Sequence, residues 1–338
     1  MKKQLLALSI SAIAMAGVSS IANACTNFNF STDNGNTFIG RTMEWPGELK
    51  GKIAVVPRGH VFSESKTTHG FVGIEHGEEL FSSALNEHGL SGEALALAGA
   101  VFADEGQGDI RSGDVVRYVL ANARSVDEAE KILQSTKVSV AAYDVVDGLH
   151  LGMHYAFNDG KRAIVVEYLD GTGFPVITEN KLGVMTNDPA YHEQEALAGM
   201  MLDGYDGYHS AKARFSEETF ASFDYSPIGR FQKMVGFNYT MDQSQLKTDF
   251  DGVNRAWSMV NAVDIPQGTL YWRFASAEVP QFTSYSNVVD IANKDYYFRT
   301  YDNMDIRKID VDSIDFSNVK YSAKSLFRSK QQYQDYQF

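Results

Sequence analysis

The chain contains a single cysteine, Cys25, and the next strongly basic and acidic side chains of consequence after it are Arg41 and Glu44. A thiolate is a nucleophile, and a neighbouring guanidinium favours it by stabilising the charged form. If the working chain begins at Cys25, its α-amine, with an intrinsic pKa of about 7.7–8.0, can exchange protons near neutral pH. An N-terminal nucleophile can then carry its own base, and a carboxylate such as Glu44 could hold that amine in place. The same residues also fit an edge hairpin with a surface salt bridge and a small buried cysteine.

These groups must be brought together by a hairpin. T-N-F-N-F-S after Cys25 alternates Phe28 and Phe30 on one face with Asn27 and Asn29 on the other. D-N-G-N follows, then a return strand T-F-I-G-R-T-M-E-W. Asn34-Gly35 as a two-residue loop places Cys25 opposite Glu44 and Arg41 opposite Phe28; a three-residue loop shifts the pairing by one position.

What precedes Cys25 supports cleavage there. M-K-K, a short apolar Ala/Ser-rich run and S-S-I-A-N-A describe a secretory signal peptide over residues 1–24, with the cut after Ala24. The run is too short for a spanning helix. A bacterial lipoprotein also begins at cysteine, but Ala22, Asn23 and Ala24 form a poor lipidation signal. The expectation is an exported, periplasmic protein whose mature part, residues 25–338, is one domain.

Formal charge is −13, and residues 1–24 carry two lysines and no acid, so the mature chain stands at −15. That balance argues against nucleic acid or an anionic membrane face as partner. One cysteine excludes an intrachain disulfide. Strand patterns occur at 52–58, 152–158 and 162–169, and again near 271–276, 286–292 and 296–301. Helical spacing covers 112–123 and 125–135, the latter opening with Ser125 and Glu128 in capping-box positions. Strands at both ends with helices between predict an α+β fold of layered sheets flanked by helices.

The stretch C-T-N-F-N-F-S-T-D-N-G-N-T-F-I-G-R-T-M-E-W with V-P-R-G (56–59) resembles the start of the choloylglycine hydrolase family, the penicillin V acylases and bile salt hydrolases. The resemblance continues through N-E-H-G-L (86–90), D-G-K-R-A-I-V-V-E (159–167), M-T-N-D-P (185–189), S-P-I-G-R-F (226–231) and Y-Y-F-R-T-Y-D-N (296–303). It implies an N-terminal-nucleophile (Ntn) hydrolase fold, a four-layer αββα sandwich, and hydrolysis of linear amides without metal or cofactor. By the same resemblance Cys25 is nucleophile and base, Arg41 stands beside the thiol, and Arg230 is a second active-site arginine. Asn187 donates its side-chain amide to the oxyanion, and the backbone N–H at Ala96 supplies the second donor. Glu44 departs from the usual Asp, and Ala96 stands where bile salt hydrolases carry Asn. The Ala96 departure and the export signal point to the Gram-negative acylase branch, with penicillin V or acyl-homoserine-lactone amides as substrates. Conjugated bile salts are the alternative, and a lipid-anchored, non-catalytic periplasmic binding protein is the second. The family also implies a homotetramer.

Other candidates have plainer readings. His150 and His154 have the i,i+4 spacing of a helical metal pair but lie in L-H-L-G-M-H-Y, a strand pattern. Trp45 could shape an acyl pocket or pack in the core. His192 reads as a surface residue, and Arg299 with Asp302 as a structural pair. Residues 190–225 could be a substrate-binding or subunit-contact loop. No G-x-S-x-G, H-E-x-x-H, Walker or dinucleotide motif is present.

Overall fold

The computed structural model describes residues 25–47, 49–63, 65–143, 149–203, 224–274 and 277–338. The proposed signal peptide and much of the 190–225 stretch lie outside the described residues. Strands β1 (Thr26–Ser31) and β2 (Thr37–Pro46) form the first hairpin. A meander of β3 (Lys52–Val56), β4 (Phe71–His76), β5 (Leu80–Asn86) and β6 (Ser91–Ala96) follows. Short β7 (Ile110–Arg111) precedes helices α1 (Val115–Asn122) and α2 (Val126–Ser135). Next come β8 (Val138–Ser139), β9 (Ala142–Tyr143), β10 (Leu149–His150), β11 (Met153–Asn158), β12 (Ala163–Glu167), β13 (Val176–Glu179) and β14 (Val184–Met185). Helices α3 (Tyr191–Asp203), α4 (Pro227–Tyr239) and α5 (Asp249–Asn261) are followed by β15 (Leu270–Phe274) and β16 (Ala277–Asp290). The chain then forms β17 (Asp295–Thr300), β18 (Asn303–Asp310) and β19 (Ser322–Ser325).

Among the described residues, two large antiparallel sheets carry the fold. One runs β14-β1-β2-β16-β17-β18, with β15 also on β16; the other runs β13-β12-β11-β6-β5-β4-β3-β19. Alternation along each strand decides what lies between them. Val72, Ile74, Leu85, Leu95 and Val165 join the core shared with the first sheet, whereas Phe71, Ala84, Ile164 and Val166 join the core under α1 and α2. On the far side, α4 packs on β1 and β14, and α5 on β2 and β16. The layers are therefore helix, sheet, sheet, helix, the αββα order expected. Asn27 is buried like Phe28, because its face meets the second sheet instead of solvent.

Helix ends follow their sequence signals, with one detail shifted. Ser125 Oγ accepts from Glu128 N–H at 3.3 Å, but the Glu128 carboxylate reaches back to Arg124 N–H, one residue beyond the expected partner. In α4, Ser226 Oγ caps Gly229 N–H at 3.0 Å and Pro227 occupies the first turn, so S-P-I-G-R-F is a helix start that delivers Arg230.

The first hairpin closes differently from the two-residue expectation. Thr32 N–H bonds Asn36 O at 2.9 Å, Gly35 N–H bonds Thr32 O at 2.9 Å, and Gly35 has φ 82°. This is a three-residue loop ending in a left-handed glycine. Asn27 consequently faces Arg41 and Phe28 faces Gly40, which puts Cys25 opposite Met43 instead of Glu44. The Gly40 pairing is sterically required: a Cβ there would sit 2.2 Å from the Phe28 ring.

Candidate active site

The one-residue shift decides which groups share a face. Side chains of Cys25, Asn27, Arg41 and Met43 now turn together toward the second sheet, whereas Thr26, Thr42 and Glu44 turn toward the helices. In the two-residue register Arg41 would have been on the opposite face from the thiol. Cys25 is buried, with Sγ 3.5 Å from Met43 Sδ. Burial pushes the thiol above its ordinary value; Arg41 pulls it down, Glu44 pushes it up, and the net shift is upward. The acidifying effect expected of Arg41 is therefore present but outweighed by burial.

Arg41 is fully buried where the second sheet splits. The β5–β6 ladder ends at Ser83 opposite Glu93, leaving Ser82 and Ala94 carbonyls unpaired across the gap. Arg41 fills it: Nη1 donates to Ser82 O and Nη2 to Ala94 O at 2.9 Å. Its charge is met by Glu93, whose Oε2 lies 3.3 Å from Nη1. Around this pair, Ser83 Oγ donates to Glu93 Oε1 at 2.8 Å and meets Tyr296 Oη at 2.7 Å. Ser82 Oγ meets Tyr285 Oη at 2.7 Å and His76 Nε2 at 2.8 Å. Burial, with help from Arg41, lowers His76 to about 3, so the ring is neutral.

Glu44 lies behind the sheet, on the helix side. Its Oε1 accepts from Thr283 Oγ1 at 2.6 Å and Oε2 from Thr42 Oγ1 at 3.1 Å. Burial raises it to about 7 against the opposing pull of Arg230, Thr283 and Thr42. Arg230, also buried, donates from Nη1 to Cys25 O at 2.5 Å and to Thr26 Oγ1 at 2.7 Å, and from Nε to Tyr225 O at 3.0 Å. Its Nη2 donates to Asn187 Oδ1 at 3.0 Å. A guanidinium can only donate, so this contact fixes the Asn187 amide with its nitrogen turned the other way.

That nitrogen donates to Ala96 O at 2.8 Å. Leu97 N–H bonds Gly152 O on the β11 side, so the N–H and carbonyl of Ala96 point the other way, past the end of β5. Asp188 locks this arrangement: its carboxylate accepts from Ala98 and Gly99 N–H, both at 2.9 Å. Asn187 thus joins Ala96 across the two sheets, at the edge of an opening that Ala96 lines and Asn187 does not. Cys25, Arg41, Met43, Glu44, Ala96 and Trp45 line a cavity of about 40 Å³ there, walled also by Leu49, His76, Leu80, Ser82, Ala94, Leu95, Leu151 and Met153. Polar groups at one end of an apolar slot suit attack on the carbonyl of an acyl compound.

Of the sequence-derived candidates, Cys25, Arg41, Glu44, Trp45 and Ala96 line the cavity, and Asn187 and Arg230 adjoin it through their bonds to Ala96 O and Cys25 O. His192 is exposed on α3. His150 and His154 lie on β10 and β11; His154 uses both ring nitrogens, on Glu167 Oε1 at 3.0 Å and Thr186 O at 2.9 Å. Donor atoms of His69, Glu87 and His88 lie within 4.8 Å of one another, but Glu87 is bonded to Arg58 and to Gly70 N–H, and the two imidazoles bond each other at 3.1 Å. Arg299 is structural as expected, but its partner is Asp264 at 2.5 Å, not Asp302. Glu93, His76, Ser82, Tyr285 and Asp188 escaped sequence reasoning. For Glu93 a signal existed: it is the lone charge in the otherwise small and apolar strand S-G-E-A-L-A.

Comparisons with known proteins agree with this geometry. The family model for linear amide C–N hydrolases, choloylglycine hydrolase family, matches residues 25–322. A bile salt hydrolase/transferase of Bifidobacterium longum is 26% identical over 325 residues, spanning 87% of this chain and 99% of the relative. A penicillin V acylase of Pectobacterium atrosepticum is 24% identical, spanning 96% and 90%. Among solved structures, a conjugated bile acid hydrolase variant from Clostridium perfringens superposes with TM-score 0.74 at 20% identity, over 91% of this chain and 99% of that one. Penicillin V acylase from Agrobacterium tumefaciens gives 0.68 at 21% identity, over 88% and 90%.

Proposed function

The chain belongs to the choloylglycine hydrolase family of linear amide C–N hydrolases and has the Ntn-hydrolase fold, and from this premise we propose that it is an exported acylase whose cleavage after Ala24 creates the catalyst. Freed there, the Cys25 α-amine takes the thiol proton as the thiolate attacks the substrate carbonyl. Glu44, on the helix side of β2, holds that amine. The oxyanion develops between the Asn187 side-chain amide and the Ala96 N–H, a reading supported by the bond that brings Asn187 Nδ2 to the Ala96 backbone. The amine then gives its proton to the leaving nitrogen, and the thioester is hydrolysed by water activated by the same amine. Residues 25–338 act as one catalytic domain, assembling as a homotetramer in the periplasm.

The substrates we infer are penicillin V or acyl-homoserine-lactone-type amides. The supporting observation is the narrow apolar slot beside Cys25, walled by Met43, Trp45, Leu49, Leu80, Leu151 and Met153. Such a slot suits a slim acyl or aryl-acyl group better than a rigid sterol. Bile salt hydrolysis remains the rival, since relatives of both kinds match at similar identity. The deciding experiment measures kcat/KM side by side on penicillin V, a long-chain acyl-homoserine lactone and glycocholate. Preference for either of the first two supports the reading, and a dominant glycocholate rate replaces it with the bile salt assignment. Intact mass and N-terminal sequencing should show unmodified Cys25 first; a diacylglyceryl cysteine would refute export by simple cleavage.

A further inference from the structure

Arg41 stands between two groups that can each be negative. On one side is the Cys25 thiol, which shares its strand face and meets the same Met43 sulfur, 3.5 Å from Cys25 Sγ and 3.5 Å from Arg41 Nη2. On the other is Glu93, 3.3 Å from Nη1, in a site where neither partner's side chain is more than 2% exposed. Water screens none of this appreciably, so one cation serving two anions is a matter of several-fold consequence for each.

We propose that Glu93 is a charge-balancing, positioning residue for the nucleophile: it shares the Arg41 guanidinium with the Cys25 thiolate and thereby restrains ionisation of that thiol. The inference rests on the assignment of Cys25 as nucleophile, and adds to it a residue that does not touch substrate. When Glu93 is ionised, Arg41 is largely neutralised and has little attraction left for a thiolate. When Glu93 is neutral, the whole guanidinium charge is available to Cys25. Burial, against the pull of Arg41, raises Glu93 to about 7, so its charge changes in the range where the enzyme would work.

The other side chains facing this pair do not supply the charge change, and the Cys25 α-amine, which titrates near neutral pH, is common to wild type and the Glu93 variants and cancels in their comparison. Tyr285 and Tyr296, from β16 and β17, are raised by burial and stay neutral, and His76 from β4 is lowered to about 3. On the thiol's far side Glu44 and Arg230 oppose each other. Glu93 is also not needed to aim Arg41, because Ser82 O and Ala94 O hold its terminal nitrogens independently. A glutamine at position 93 would keep an acceptor for Arg41, with its amide nitrogen donating to Ser83 Oγ instead of accepting from it, while removing the charge.

Alkylation of the mature protein by iodoacetamide, followed by intact mass against pH, reads the thiol directly because the chain has one cysteine. Glu93→Gln should lower the alkylation midpoint by about one pH unit, giving about tenfold faster reaction between about pH 7, above which Glu93 is ionised, and the wild-type midpoint, and little change below about pH 7. Glu93→Asp, with the carboxylate drawn back by one methylene, should move the midpoint part of the way. A folded Glu93→Gln with an unchanged or raised midpoint overturns the proposal and leaves Glu93 a scaffold only. If Glu93→Gln does not fold, an unmoved midpoint in Glu93→Asp overturns it equally. The readout is independent of turnover: absence of amide hydrolysis in the wild type would sink the enzymatic reading whatever the midpoints show.

Discussion

Replacing Asn187 by Ala separates catalysis from stability. In the proposed mechanism its Nδ2 is an oxyanion donor; the side chain bonds Ala96 O at 2.8 Å and accepts from Arg230 at 3.0 Å. Losing one donor from an oxyanion hole costs about 2.7–4 kcal/mol of transition-state stabilisation, or a 10²–10³-fold fall in kcat. The structural cost is of similar size but falls on folding instead of on the chemical step. Arg230 keeps its bonds to Tyr225 O, Cys25 O and Thr26 Oγ1, so one buried donor and one buried carbonyl lose a partner, about 1–3 kcal/mol each. Against a typical domain stability of about 5–15 kcal/mol, the variant should remain mostly folded at 25 °C. The assay is steady-state kinetics on the best amide substrate, with thermal unfolding on the same preparation. Expected is a kcat reduced 10²–10³-fold, a KM changed by less than about threefold, and a lowered but cooperative transition. A kcat within fivefold of wild type in folded protein would show that the oxyanion is not bound at Asn187.

Cys25→Ser should leave almost no amide turnover while preserving the fold; activity retained in full would remove Cys25 from the mechanism. Glu44 and Glu93 both have folded-state values raised by burial from 4.5 to about 7, so the folded state holds protons that the unfolded chain releases. Stability should therefore fall as pH rises from about 4.5 to about 7, and Glu44→Gln should flatten that slope in a Tm-against-pH series; an unchanged slope would contradict the buried, proton-binding Glu44. Gly40→Ala should destabilise by about 1–3 kcal/mol, because the new methyl meets the Phe28 ring at 2.2 Å and Phe28 has no free space to retreat. Denaturant titration giving less than about 0.5 kcal/mol would mean that β1 and β2 can re-register without loss.

Much of the site was legible because its parts lie in short motifs with local causes. Cys25 and Arg41 are joined by a single hairpin, and Arg230 is delivered by a Ser-Pro helix start that the sequence displays. The register was not legible to the residue. Asn34-Gly35 suggests a two-residue turn, but the turn begins at Thr32 and uses Gly35 as its left-handed closing residue, and only backbone closure distinguishes these. Side-chain charge pairs were not legible, even where a local partner was on offer. Arg299 chose Asp264 across the end of α5 over Asp302 three residues on, and Arg41 chose Glu93 from the other sheet. No spacing rule reports a partner supplied by the stacking of two sheets.

The proposed oxyanion site lies between Ala96 at the end of a strand of one sheet and Asn187 just past β14 in the other. Its width is therefore the gap between the two sheets, measured at one edge. Side chains that set that gap, such as Leu95 and Val165 from one sheet and Ile39 and Val289 from the other, act as spacers for the reaction although some lie far from the substrate. A core substitution that lets the layers settle by a few tenths of an ångström should register first as a slower enzyme, before any loss of fold is measurable. The sandwich is in this sense a caliper closed on the transition state.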